Sequence, residues 1–157
     1  MTSIATCLWY DTGAEEAVNL YKSLFKDVTI HAVSYHGKGG HLPEGTVLTI
    51  DFTMLGQRFT ALNGGPMYKF SEATSIQAIV DTQEDVDRYW EGLTGNGGQE
   101  GPCGWCKDKF GLSWQVVPKQ LIALLTHTDS DKRMRASQSM MSMKKLDIAA
   151  LERAAAG

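Results

Sequence analysis

The sequence predicts an α+β protein that consists of two βαβββ modules followed by C-terminal helices. The first observation is an order of strand, helix and three strands, indicated by apolar runs, turn signals and helical spacing. The second is that this order restarts with the same Asp-Thr pair about 70 residues later, which indicates an internal duplication. The third is that residues 119–157 show mainly helical spacing, which predicts a helical tail.

The first module is predicted to span residues 3–66, beginning with an apolar strand over 3–10. Thr12 and Glu15 have the spacing of a capping box, in which each side chain satisfies a free backbone N–H of a helix start. Apolar residues at intervals of three and four then predict one buried helix face over 17–25. Three more strands are predicted at 28–35, 46–55 and 58–62, the last two joined by a hairpin at Gly56-Gln57.

The second module is predicted to span residues 73–118, beginning with a strand over 74–80. Thr82 and Asp85 repeat the capping signature, and a helix face follows from Val86 to Leu93. Two short strands are predicted around 103–107 and 112–117. In the tail, over 119–157, the basic run between Lys132 and Lys145 is interpreted as a solvated helix face with favourable charge near helix C-termini.

Composition and charge restrict the classes of function. The chain of 157 residues is 43% hydrophobic and 21% charged, which fits one globular domain over 1–157. Its net charge of −3 gives no general attraction to nucleic acid or to acidic membrane surfaces. No apolar run is long enough to span a membrane, and the N-terminus has no secretion-signal features. Three cysteines without an export signal predict free thiols and a cytoplasmic location.

Five stretches carry a resemblance to a known family. They are LWYDTGAEEAVNLYKSLF (8–25), GQRFTALNGGP (56–66), DVDRYWEGL (85–93), CGWCKDKFGLSWQVVP (103–118) and MKKLDIAALERA (143–154). The chain resembles the PhnB-like group of the vicinal oxygen chelate superfamily, which includes glyoxalase I, bleomycin-resistance proteins and extradiol dioxygenases. The resemblance implies two modules that form a cupped mixed sheet, a small-molecule site in the cup and a homodimer. Members of this group often carry the label 3-demethylubiquinone-9 3-methyltransferase.

The resemblance also implies four positions where metal-using relatives place His or Glu ligands. In this sequence they are Ala5 (or Thr6 or Cys7, with a shifted register), Asn63 (or Ala61), Ser75 and Gln115. Gln115 ends a stretch from Asp108 that matches the family's D-x-x-G-x-x-ϕ-E pattern with an amide in place of the carboxylate. Neutral amides and a hydroxyl are weak donors for a divalent metal, and alanine has none. We therefore predict a cup without a metal and without a cofactor.

Two other motifs are candidates for chemistry. His36 and His41 bracket the glycine-rich sequence HGKGGH, where two imidazoles could chelate a metal, but Glu44 is the one acid nearby and we expect a mobile, solvated loop. Cys103 and Cys106 have CxxC spacing. On a predicted strand they point to opposite faces, and no second CxxC exists to complete a zinc site. Neither motif is predicted to be the functional site.

Alternation along the strands predicts which side chains face the cup. If Ala78 and Val80 pack under the helix, their neighbours on the strand face the cup, and the same register applies in the first module. The predicted ligand-binding residues are Cys7, Trp9, Asn63, Ser75, Gln77 and Gln115.

The sequence leaves two classes of function open. The first is a protein that binds a small organic molecule in a metal-free cup. The alternative is an enzyme acting on a small molecule, a lyase, isomerase or transferase. No catalytic residue is predicted, because Cys7 and Ser75 have no visible base and the facing of Asp51, a candidate base, is open.

Overall fold

The computed structural model describes residues 1–157, and contacts divide them into two units, Met1–Phe70 and Ser71–Gly157. The first unit contains β1 (Thr6–Tyr10), α1 (Ala14–Leu24), β2 (Val28–Tyr35), β3 (Val47–Met54) and β4 (Gln57–Asn63). The second contains β5 (Ile76–Val80), α2 (Gln83–Thr94), β6 (Gln99–Glu100), β7 (Trp105–Lys107), β8 (Ser113–Pro118), α3 (Lys119–Leu125), α4 (Ser130–Met141) and α5 (Ile148–Ala156). The predicted α+β class, with βαβββ twice and C-terminal helices, is confirmed.

Each unit forms its own four-stranded mixed sheet, and the two sheets have the same topology. The strand order is β1-β4-β3-β2 in the first sheet and β5-β8-β7-β6 in the second. In both sheets the first strand runs parallel to the fourth, and the other neighbours are antiparallel. The repeated topology agrees with the duplication that the sequence pattern indicates.

One face of each sheet is buried under the helix that follows its first strand. In the first sheet, Tyr10 lies under α1, and its hydroxyl is hydrogen-bonded to that of Tyr21 in the buried interior. In the second sheet, Trp114 and Val116 are buried on the side of α2. Side chains alternate along a strand, so every second residue points away from the helix. We call the face of each sheet that is turned away from its helix the distal face.

The hairpin between β3 and β4 lies one residue earlier than the sequence predicts. Met54 pairs with Gln57, which leaves Leu55 and Gly56 as a two-residue turn. Both turn residues have positive φ, 49° and 81°. This combination is that of a type I′ turn, whose twist matches the flanking strands, so Gly56 occupies the second turn position and Gln57 starts β4.

The two helices of the modules are capped differently. Thr82 caps α2 as predicted, and its hydroxyl accepts a hydrogen bond from the Asp85 backbone N–H at 3.1 Å. The predicted capping box of Thr12 and Glu15 is wrong, because Gly13 is the N-cap of α1 and no cap side chain contributes a hydrogen bond. The free N–H groups of a helix start need acceptors, and here a distant residue provides one.

Asn63, at the end of β4, is that acceptor. Its Oδ1 accepts a hydrogen bond from the Ala14 backbone N–H at 2.9 Å, and its Nδ2 donates to the Val47 carbonyl at 3.0 Å. Asn63 pairs with Tyr10 and is buried on the face under α1. The prediction that Asn63 faces the cup beside Cys7 and Trp9 is therefore wrong, because its amide joins β4, α1 and β3 on the buried face.

The C-terminal helices pack onto the second unit through an apolar cluster. Val117, Leu121, Leu146 and Leu151 form its buried part. The tail is also held by backbone hydrogen bonds, from Cys103 N–H to the Met143 carbonyl and from Gly104 N–H to the Lys144 carbonyl, both at 2.8 Å. No helix in the structure combines the length and the apolar character needed to cross a membrane.

The basic run of the tail is engaged in specific contacts. Lys144 pairs with Glu100 and Lys145 pairs with Asp87 of α2. Arg135 donates to the Ala155 carbonyl at 2.7 Å, where a cation is favourable near the end of α5. The prediction of favourable charge near a helix C-terminus is confirmed for Arg135. Lys144 and Lys145 are exposed as predicted, but they lie between α4 and α5 and not on a helix face.

Replacing Asn63 by Ala is expected to destabilise the protein by about 1–3 kcal/mol, because it leaves a buried N–H and a buried carbonyl without partners. Urea denaturation followed by circular dichroism measures this loss. Asn19→Ala, on the exposed side of α1, is the matched control and is expected to change stability little. Equal unfolding midpoints for the two variants would contradict the role assigned to Asn63.

Replacing Leu151 by Ala is expected to cost about 2–5 kcal/mol, because it opens a cavity in the fully buried cluster under the tail. Met141→Ala is the control, since the Met141 side chain is 69% exposed and its loss leaves no cavity. Denaturant unfolding, combined with hydrogen exchange of the α5 amides, measures the effect. Unchanged exchange in the Leu151 variant would show that the tail does not depend on this cluster.

Candidate functional site

The distal face of the first sheet carries Cys7 and Trp9, as the alternation predicts. Trp9 is fixed in place, since its Nε1–H donates to the Gly65 carbonyl at 2.8 Å and its ring contacts Tyr68 edge-to-face at 5.0 Å. Gly64 lies so close to the Trp9 ring that any Cβ there would collide with it. Partial burial raises the pKa of the Cys7 thiol, which keeps it protonated and weakens it as a nucleophile.

Ala5 and Asn63, the positions where the resemblance implies metal ligands in the first module, do not lie close together. Asn63 pairs with Tyr10 at one end of β1, whereas Ala5 precedes the other end. Five residues along a strand separate them, roughly 16 Å at the rise of a β-strand. Thr60 and Leu62 are the β4 residues that lie opposite Cys7 and Trp9.

Asp51 lies on the distal face of the first sheet, opposite Thr60. Arg58 holds both of its carboxylate oxygens, at 3.0 and 2.6 Å. This hydrogen-bonded pair, together with the Arg58 charge, lowers the pKa of Asp51. Nearby, His31 is hydrogen-bonded to the Thr53 hydroxyl at 2.6 Å. A carboxylate engaged in this way is a poor general base, because its lone pairs and its charge are already used.

The predicted residues of the second sheet lie together on its distal face. Gln115 pairs with Gln77 on one side and with Trp105 on the other. The Gln115 Nε2 donates to the Ser75 hydroxyl at 2.8 Å, and the Gln77 Nε2 donates to Gln115 Oε1 at 3.3 Å. These side chains therefore satisfy one another, and their role in ligand binding stays a prediction.

A cleft of about 420 Å³ opens in the second unit, beside the side chains of Ser75, Gln77 and Gln115. Its lining includes Glu72, Gln99, Pro102, Trp105, Lys107 and Ser113. Ser113 is only 1% exposed, and its hydroxyl has no hydrogen-bond partner. Lys107 pairs with Glu72. A buried hydroxyl without a partner is a costly feature that a bound polar atom would relieve.

The sequence predictions missed these cleft residues, although a signal for them was present. Ser113 lies two residues before Gln115 on β8, so the alternation that places Gln115 on the distal face also places Ser113 there. Trp105 and Lys107 of β7 pair with Gln115 and Ser113, respectively. Applying the same alternation to β7 would have found them.

The side chains at the four positions where the resemblance implies metal ligands do not fit a divalent metal. Both functional groups of the Asn63 amide are used within the fold, and Ser75 and Gln115 are hydrogen-bonded to each other. Ala5 offers no donor. No three His, Cys, Asp or Glu side chains converge anywhere in the chain. This donor set lacks the imidazole, carboxylate and thiolate groups that transition metals prefer.

The HGKGGH loop differs from the solvated loop that the sequence predicts. His36 is 6% exposed, and its backbone N–H donates to the Thr46 carbonyl at 2.8 Å. Its ring packs edge-to-face against His41, with centroids 4.9 Å apart. The prediction of a solvated loop is therefore wrong for His36, because its ring is buried and its backbone is hydrogen-bonded.

The two cysteines of the CxxC motif are in different environments. Cys103 lies in the turn before β7 with a φ of 58°, so its predicted position on a strand is wrong. Cys106 is buried on β7, opposite Trp114. Burial, with a smaller effect of the nearby Asp108 charge, raises the pKa of Cys106 to about 12. All three cysteines are free, and Cys106 is chemically inert near neutral pH.

Comparisons with known proteins agree with this geometry. A family model described as 3-demethylubiquinone-9 3-methyltransferase matches residues 2–117, a range that ends before α3. None of the curated proteins matches the sequence. A solved structure from Bacillus cereus, described as a 3-demethylubiquinone-9 3-methyltransferase and PhnB protein, is 31% identical with a TM-score of 0.66. It covers 74% of this chain and 99% of its own.

Two more distant structures share the fold. A protein from Pseudomonas aeruginosa is 18% identical with a TM-score of 0.61, covering 75% of this chain and 98% of its own. A mutant of the fosfomycin resistance protein FosX from Listeria monocytogenes, complexed with Mn(II) and 1S,2S-dihydroxypropylphosphonic acid, is 14% identical with a TM-score of 0.53. It covers 74% of this chain and 92% of its own.

The matched range includes both βαβββ modules, and the Bacillus cereus protein is similar over nearly its whole length. Both agree with the resemblance carried by the sequence motifs. The chain therefore belongs to the 3-demethylubiquinone-9 3-methyltransferase family, which is the PhnB-like group.

Proposed function

We propose that this protein binds a small organic molecule in the cleft of the second unit. The observation that carries the proposal is the Ser113 hydroxyl, which is buried at the cleft without a hydrogen-bond partner. Leaving a buried polar group unpaired costs about 1–3 kcal/mol. A ligand with a polar atom directed at Ser113 would provide the partner that no protein group provides.

The other walls of the cleft suit an aromatic ligand. Trp105 offers a large, rigid ring that is partly exposed, and Pro102 adds an apolar surface. A volume of about 420 Å³ lies in the range of sites for small molecules. Flat rings stack favourably on tryptophan, which supports a ligand with an aromatic or conjugated part.

The catalytic alternative is supported less by the residues of the cleft. The family description names a methyltransferase of 3-demethylubiquinone, and transfer of a methyl group would require a site for a methyl donor and a base for the acceptor hydroxyl. No histidine lines the cleft, so Ser113 has no base of that kind beside it. The sequence has no strand followed by a glycine-rich turn suited to S-adenosylmethionine. We therefore propose binding and not methyl transfer.

The partners and the location are proposed on the family resemblance and the composition. We propose a homodimer in the cytoplasm, with a small organic molecule as the ligand. Neither nucleic acid nor a membrane surface is proposed as a partner, because the net charge is −3.

The test is a ligand-observed NMR screen with mono- and bicyclic aromatic alcohols, amides and carboxylates. Trp105→Ala is expected to weaken the binding of each hit at least about tenfold, because the ring surface is lost. Ser113→Ala is expected to weaken binding while leaving stability unchanged or slightly raised, since its hydroxyl has no partner in the free protein.

Tyr35→Ala is the control, because Tyr35 is an exposed aromatic residue on β2, which belongs to the first unit. It is expected to bind every hit as the unchanged protein does. The proposal is wrong if no compound of the panel binds, or if the hits bind all three variants equally well.

A further inference from the structure

An ion pair lies inside the proposed binding cleft. Lys107 is anchored on β7, and its side chain is 30% exposed. Its partner, Glu72, belongs to the irregular segment before β5, and its side chain is 66% exposed. The two partners are therefore unequal, because the cation is held by a sheet whereas the carboxylate is mostly in water.

The Lys107 ammonium shares its surroundings with the unpartnered hydroxyl. Lys107 and Ser113 are direct cross-strand neighbours, so their Cβ atoms lie about 5 Å apart. Gln99 is the neighbour of Lys107 on the other side. An ammonium has three donors and a hydroxyl has one, and a carboxylate accepts from both. Lys107 and Ser113 can therefore donate hydrogen bonds to the same carboxylate.

The remaining negative charge of the cleft is already compensated. The Glu100 carboxylate accepts a hydrogen bond from Trp90 Nε1–H at 3.1 Å and pairs with Lys144 at 3.3 Å. Of the charged residues that line the cleft, Glu72 is thus the one that competes for Lys107.

We propose that the cleft selects aromatic carboxylates, and that Glu72 occupies the place of the ligand's carboxylate on Lys107 until the ligand displaces it. This inference rests on the proposed function and names its ligand class. On binding, one carboxylate replaces another at Lys107, and the freed Glu72 moves into water, where most of its side chain already lies. An exposed ion pair is weak, so its loss costs little.

The favourable free energy of binding comes from the aromatic part of the ligand. Its ring stacks on Trp105 while the carboxylate is held by Lys107 and Ser113. A neutral aromatic amide has the same ring but leaves the pair of Lys107 and Glu72 in place. The carboxylate is therefore bound more tightly than the amide of the same shape.

The experiment compares 2-naphthoate with 2-naphthamide, two probes of nearly equal size that differ in charge. Isothermal titration calorimetry with the full chain is expected to show at least about tenfold tighter binding of the carboxylate. In Lys107→Met this preference is lost and both probes bind with similar affinity. In Glu72→Gln the affinity for 2-naphthoate rises several-fold while that for 2-naphthamide stays the same.

The control variants carry the same charge changes outside the cleft. Lys109→Met removes a cation just after β7, and Glu84→Gln removes an exposed carboxylate on α2. Both are expected to keep the preference of the unchanged protein for the carboxylate. Circular dichroism confirms that each variant is folded before it is compared.

The outcomes separate this inference from the proposed function. Equal binding of both probes would overturn the selection of carboxylates while leaving small-molecule binding in place. Tighter binding of 2-naphthylmethylammonium than of 2-naphthoate would also overturn it, because Glu72 would then be the anchor. If neither these probes nor the aromatic panel binds, both proposals fail.

Discussion

The helix that covers one face of each sheet determines which side chains the other face carries. This helix is α1 on the first sheet and α2 on the second, and the pleat sends every other side chain away from it. Burial under the helix fixes the register, because a slip by one residue would turn the apolar set outward. The positions of Trp9, Gln115 and Ser113 on the distal faces are thus consequences of burying Tyr10, Trp114 and Val116.

The two modules share a topology, but their distal faces have diverged chemically. In the first sheet the polar groups are paired with one another, as in Asp51 with Arg58 and Ser34 with Thr49. In the second sheet a hydroxyl remains unpaired beside a tryptophan and a cleft. Buried polar groups are normally satisfied, so the unpaired Ser113 hydroxyl at the cleft marks the part of the second sheet where we expect a ligand.

Sequence patterns predict the structural features that depend on local periodicity. They do not predict contacts between residues that are distant in the chain. Alternation gives the faces of Cys7 and Gln77, and capping spacing gives Thr82 at the start of α2. The start of α1 is satisfied by Asn63, which lies 49 residues along the chain from its partner Ala14, and no local pattern reports such a contact. The cleft was missed because β7 is only three residues long and overlaps the CxxC motif, so the alternation that reaches Trp105 and Lys107 has to be carried over from β8.

The docking of the tail gives the cleft a connection to the C-terminus. Cys103 and Gly104 donate their backbone N–H groups to the tail, and the residues on either side of them, Pro102 and Trp105, line the cleft. Gly104 has a φ of 83°, and a Cβ there would lie 2.9 Å from Leu146. Two backbone hydrogen bonds and the close approach of Gly104 to Leu146 thus join this wall of the cleft to the tail. By linkage, the ligand that we propose for the cleft would also stabilise the docking of the last helices.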